Sequence, residues 1–148
     1  MDIIILGERA RGPRGSHSNE LSHWQQVRML SLIPPQWTVS SWLNLLPPHP
    51  VPGTWNVREA QVAGLALRES LPRPSVVLAC GSRVAMALQG DRYPQSYGSL
   101  EVLADGILYG RLPRAANIPS KLNRAAIAEL LTMELSLHYS GLLHFTAS

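Results

Sequence analysis

Two stretches of this chain are apolar without interruption, Asp2-Ile3-Ile4-Ile5-Leu6 and Ser75-Val76-Val77-Leu78-Ala79-Cys80, and each breaks at a glycine, Gly7 and Gly81. Alternation would mark a strand with one wet face, so its absence predicts strands buried on both faces of a parallel sheet. Residues 37–46 read as a further strand, closed by a proline-rich loop over 47–53, where prolines remove ladder donors. Residues 97–103 and Ile107–Leu112 predict two more, joined by Ala104-Asp105-Gly106, a hairpin-type turn signal.

Between the strands the apolar period changes to that of a helix. Asn19 is the expected cap of a helix over 19–30 with Leu21, Trp24, Val27 and Met29 or Leu30 on one side, stopped by Pro34-Pro35. A second helix is predicted over Val57–Ser70, and a short third one, capped by Ser82, ends near Gly90. Ser120 caps a long last helix whose stripe is Leu122, Ala126, Leu130, Met133 and Leu137, with Gly141 as its stop. Strands alternating with helices predict an α/β fold with three layers, α/β/α, and residues 1–148 are expected to form one domain.

No stretch approaches the roughly 20 apolar residues that span a bilayer, and no basic-then-apolar leader is present, so no membrane partner is expected. The lone Cys80 can form no internal disulfide and cannot supply the four ligands of an iron–sulfur cluster. The histidines lack metal-ligand spacing, and no dinucleotide fingerprint, phosphate-binding P-loop or nucleophile elbow occurs, so neither metal nor organic cofactor is expected. The net charge of +3 agrees with a polyanionic partner, and twelve of the thirteen basic residues are arginine, whose planar fork suits phosphate.

Three motifs stand at predicted strand ends: Gly7-Glu8-Arg9-Ala10-Arg11-Gly12, Cys80-Gly81-Ser82-Arg83-Val84-Ala85 and Ile118-Pro119-Ser120-Lys121-Leu122-Asn123-Arg124. A fourth is Trp42-Leu43-Asn44-Leu45-Leu46-Pro47. In this order they resemble the acidic motif, Gly-Ser loop, His-Pro-Ser loop and base-reading asparagine of the uracil-DNA glycosylase superfamily, in a compact form without an iron–sulfur cluster. The resemblance implies a small, mainly parallel four-stranded sheet flanked by helices. It also implies a monomer that acts on DNA in the cytoplasm of a bacterium or phage-infected host. The sequence departs from the family at Ile118, where the relatives carry histidine, and at Arg9 and Arg11, which interrupt a small-residue and proline pattern.

Each motif residue has a chemical reason to be there. Cleaving an N-glycosidic bond builds positive charge on the sugar, which a carboxylate beneath it stabilises while orienting water, and Glu8 matches that catalytic position. Asn44 offers the donor and acceptor that read a pyrimidine edge, and Trp24 offers a face for the flipped base, as Trp42, Trp55 and Tyr97 could. Ser82 and Ser120 stand at loop-to-helix junctions suited to phosphate, though helix capping alone would explain both. Arg9, Arg11, Arg83, Lys121, Asn123 and Arg124 complete the expected DNA footprint. Leu122 matches the apolar wedge that fills the space of the flipped base, or else begins the stripe of the last helix.

Position 118 divides the functional readings. Ile118 has no donor for the departing base, and loss of one such contact typically costs about two to three orders of magnitude in rate; His17, His23 or His49 could supply one from elsewhere. The leading expectation is a DNA glycosylase that flips and excises uracil or a 5-substituted pyrimidine. The alternatives are a phage-type transferase that hypermodifies a flipped pyrimidine without cutting its glycosidic bond, and an inactive relative that binds DNA or protein.

Overall fold

Every residue of Ser75–Cys80 is buried, as are Ile3 to Leu6, which is what an uninterrupted apolar run requires of its surroundings. In the computed structural model, residues 1–11, 19–51, 54–102 and 105–147 are described, and of 10, 11 and 139–147 the backbone alone. The strands are β1 (Asp2–Arg11), β2 (Ser41–His49), β3 (Ser75–Cys80), β4 (Leu100–Val102) and β5 (Ile107–Leu112). The helices are α1 (His23–Leu30), α2 (Val57–Ser70), α3 (Ser82–Gln89) and α4 (Lys121–Ala147).

The sheet has five strands in the order β2-β1-β3-β5-β4 and is mixed, in place of the four-stranded sheet expected. β2, β1, β3 and β5 are parallel, and β4 runs antiparallel to β5. A short connection permits only the antiparallel arrangement, since a parallel one needs a crossover of a dozen residues or more.

Side chains alternate across this sheet and both faces are covered. Ile3, Ile5, Val76, Leu78 and Leu108 pack with Met29 of α1 and Ile127 and Leu131 of α4. Leu6, Val77, Ala79 and Tyr109 pack on the opposite face with Ala60 of α2 and Val84, Ala85 and Leu88 of α3. Complete burial of one such aliphatic side chain stabilises the fold by about 1.5–3 kcal/mol.

Several boundaries move for tertiary reasons. β1 continues through Gly7, Glu8 and Arg9 to Arg11, because β2 beside it supplies partners, Gly7 to Asn44 and Arg9 to Leu46. β2 in turn runs through Pro47 and Pro48, which a strand at the sheet edge tolerates because one side needs no ladder donors. α1 begins later than expected: Ser22 caps it in a reciprocal box with Gln25, while the Asn19 side chain donates to the Asn44 carbonyl at 2.6 Å.

Gly81, not Ser82, occupies the N-cap position of α3, with φ of +94° and no side-chain cap bond. α4 does not stop at Gly141 but continues to Ala147. Among its described side chains the buried ones are Ile127 and Leu131, whereas Leu122, Met133 and Leu137 of the expected stripe are 80%, 56% and 70% exposed. Among the described residues no helix is long and apolar enough to cross a membrane. The turn residue Ala104 and His17 lie outside the described residues.

Candidate active site

The parallel strands β1, β3 and β5 end along one edge of the sheet, the place where open α/β folds form crevices. There a cleft of about 130 Å³ is bordered by Gly7, Glu8, Trp24, Asn44, Cys80 and Arg114. Its size suits one ring: an apolar cavity of roughly 150 Å³ takes up benzene.

Gly7 shapes the floor. A Cβ there would stand 2.7 Å from both Asn44 Oδ1 and Leu21 Cδ2, so the missing side chain lets β2 and the approach to α1 close over β1. Asn44 is buried and its backbone is doubly anchored, its N–H donating to the Asn19 carbonyl at 2.8 Å and its carbonyl accepting from Asn19 Nδ2. Its Nδ2 also makes a long contact of 3.4 Å to the Glu20 carbonyl. A buried amide held at the backbone on both sides can present a fixed donor and acceptor pattern to a ligand edge.

Glu8 is 15% exposed and lies between two cations. Arg114 Nη2 is 3.5 Å from its Oε2, and Arg83 Nε is 3.9 Å from its Oε1. Both arginine side chains are more than half exposed, so each pair contributes little to stability, but together they surround the carboxylate with positive charge on two sides. Arg114 can reach Glu8 because it passes Gly81, whose N–H is fixed to the Leu112 carbonyl at 2.8 Å.

Trp24 also lines the cleft and is 57% exposed, with Arg28 Cζ 4.9 Å from its ring centroid. Arg28 Nε donates to the Ala115 carbonyl at 2.7 Å, which ties α1 to the segment that follows β5. Cys80 is buried, and burial pushes its thiol up to about 12, the wrong direction for a nucleophile.

The other expected site residues are placed as follows. Arg9 borders the cleft, but its guanidinium bonds Glu59 of α2 at 2.9 Å. Ser82 and Arg83 form the first turn of α3, and Lys121, Leu122, Asn123 and Arg124 the first turn of α4. None of these lines the cleft. Ser120 precedes α4, its carbonyl accepting from the Arg124 N–H, and three residues, Asn117, Ile118 and Pro119, separate it from Ala116 on the cleft wall, a reach of at most about 14 Å. The Arg11 side chain lies outside the described residues.

Ile118 is half-buried against the core beneath α1 and α4 and does not line the cleft. His49 bonds the Val51 N–H outside it, and His23 does not line it. Trp42 packs on the core, Tyr97 stacks with Arg111 at 4.5 Å, and Trp55 faces another cavity.

No protein-family model matches the chain, and no curated protein matches it significantly. The chemistry of the cleft therefore rests on its own geometry. Among the described residues no three His, Cys, Asp or Glu side chains gather where they could hold a metal ion. Arg114, Arg28 and Gln25 are cleft-building residues that sequence motifs did not single out for this purpose. Only the i, i+4 spacing of Trp24 and Arg28 carried a signal.

Proposed function

We propose that this protein draws a pyrimidine, uracil or a 5-substituted uracil, out of DNA into the Glu8 cleft and hydrolyses its N-glycosidic bond. The observation that carries this reading is the convergence of Glu8, Asn44 and Trp24, from β1, β2 and α1, on one ring-sized cleft. Trp24 supplies a face for the base, Asn44 reads its edge, and Glu8 stabilises the oxocarbenium-like sugar and orients the attacking water. Arg114 is the cleft-lining donor beside the carboxylate. It provides for the departing base the hydrogen bond that Ile118 lacks. The first turns of α3 and α4, with Ser82, Arg83, Lys121 and Arg124, hold the flanking phosphates, and Leu122 fills the vacated stack.

The packing of Ile118 against the core favours a second reading, in which the base is flipped but its glycosidic bond is spared, for transfer to a ring substituent or for binding alone. Incubation with uracil-containing and 5-hydroxymethyluracil-containing DNA, followed by scission of abasic sites, separates the two. Excision is expected from the native protein and should fall about 10²–10³-fold in Glu8→Gln, with DNA affinity retained. Absence of abasic sites on both substrates would remove the hydrolytic reading.

A further inference from the structure

Arg83, 3.9 Å from Glu8, also lines a second cavity of about 570 Å³ walled by α2 and α3. Its walls are two helical stripes with i, i+3, i+4 spacing, Val57, Ala60 and Gln61 on α2 and Arg83, Met86 and Ala87 on α3. The helices pinch together at Gly64, where an added Cβ would stand 2.8 Å from the Ala87 carbonyl oxygen. The α2 wall of the cavity lies on the N-terminal side of that pinch, and Trp55 closes its end.

The volume falls within the range of roughly 300–1,000 Å³ usual for small-ligand sites. Its chemistry narrows the occupant. Arg83 Cζ stands 6.0 Å from the Trp55 ring centroid. Directly stacked groups meet at about 3.5–4.0 Å, so the separation is wider than a close stack and about 1–2 Å short of what an inserted ring needs on both faces. Arg83 is half exposed, and a small retreat of its long side chain opens that space. Gln61 on one wall offers a donor and an acceptor, and Asp91 at the rim offers an acceptor. An apolar peptide helix laid in the same place would cover the Asp91 carboxylate without giving it a partner, at considerable cost. A planar nitrogen heterocycle can set its faces against Trp55 and Arg83 and its edge against Gln61.

We infer that this cavity binds a second nucleobase, sandwiched between Trp55 and Arg83, from the nucleotide adjoining the one held in the Glu8 cleft. The adjacency rests on the proposed function; the base site itself stands on the cavity. Arg83 joins the two, since the same side chain lies 3.9 Å from Glu8 and faces Trp55.

Titration of the isotope-labelled full chain with deoxyadenosine monophosphate, followed by nuclear magnetic resonance, tests the site. The Trp55 indole and Gln61 amide resonances should shift, and Trp55→Ala should weaken binding roughly 5- to 150-fold, the range for loss of one base stack. Met86→Glu, at a position 44% exposed and so harmless to the core, should weaken it as well by replacing an apolar part of the cavity wall with a hydrated charge. Shifts confined to Trp24 and Asn44, no shifts at all, or a response to an amphipathic peptide in place of the nucleotide would overturn the inference. Excision measured on the same protein keeps the two readings apart. Nucleotide binding that depends on Trp55, without excision, removes hydrolysis and leaves the base site; excision without such binding removes only the base site.

Discussion

Gly81 and Arg114 are matched across two loops: a Cβ on Gly81 would stand 2.8 Å from Arg114 Cγ, and Arg114 extends past that point to within 3.5 Å of Glu8. The glycine is needed twice, because its φ of +94° also disfavours any other residue. Gly81→Ala should therefore destabilise the protein by at least about 1–2 kcal/mol from backbone strain, with the steric contact added. Urea unfolding measures the loss. Arg114→Ala in the Gly81→Ala background should recover the steric part alone, and strictly additive effects would show that the two side chains do not meet.

Leu122 is 80% exposed, so its role in the core of α4 is negligible. Leu122→Ala should change unfolding stability by less than about 0.5 kcal/mol, as expected for a surface substitution. The same change should reduce base extrusion, read as the fluorescence of 2-aminopurine placed beside a target uracil. A lowered unfolding midpoint with unchanged fluorescence would return Leu122 to a structural role.

Arg114 and Ile118 make opposite predictions although four residues apart. Arg114→Ala should lower single-turnover excision about 10²–10³-fold, the usual effect of losing a donor to developing negative charge. Ile118→His should not raise excision, because the side chain packs on the core instead of lining the cleft. It should also cost about 1–3 kcal/mol by setting a polar ring against apolar neighbours. A gain in excision from Ile118→His would mean that this segment re-enters the cleft when DNA binds.

The buried thiol of Cys80 gives the fold an alkaline limit. Its pKa rises from the ordinary 9.0 to about 12 because burial disfavours the thiolate. A group whose folded pKa is raised binds its proton more tightly in the folded state. Its contribution is thus complete below about pH 9 and is lost as the pH rises toward 12. Burial and the bond to Asp105 push the Tyr109 hydroxyl in the same upward direction, and its contribution is lost as the pH rises above about 10. Urea midpoints measured between pH 8 and 11 should fall, and Cys80→Ala should flatten part of that fall. An identical pH dependence in the variant would remove Cys80 as a cause.

The runs Ser75–Cys80 and Ile107–Leu112 and the helix Val57–Ser70 were legible because period and punctuation are local, and their observed limits coincide with those the pattern predicts. The placement of Glu8 and Asn44 beside each other was foreshadowed only by motif order, since pairing of Gly7 with Asn44 depends on β2 lying next to β1. Cap identity was less legible. Asn19 has cap chemistry, yet its side chain is taken by the Asn44 carbonyl, a partner 25 residues away.

By itself, then, the chain determined where its buried strands and its α2 helix lie, because uninterrupted apolar runs and glycine or proline breaks act over a few residues. Tertiary structure decided the rest. Strand order put β2 at an edge where Pro47 and Pro48 are tolerated, and a short connection turned β4 antiparallel. The choice of face on α4 followed from the sheet it covers, which took Ile127 and Leu131 inward and left Leu122 outside. Arg83, Arg114 and Glu8 come from three segments far apart in the chain. Their meeting depends on the assembled sheet, because only contacts between distant segments fix which side chains share a cleft.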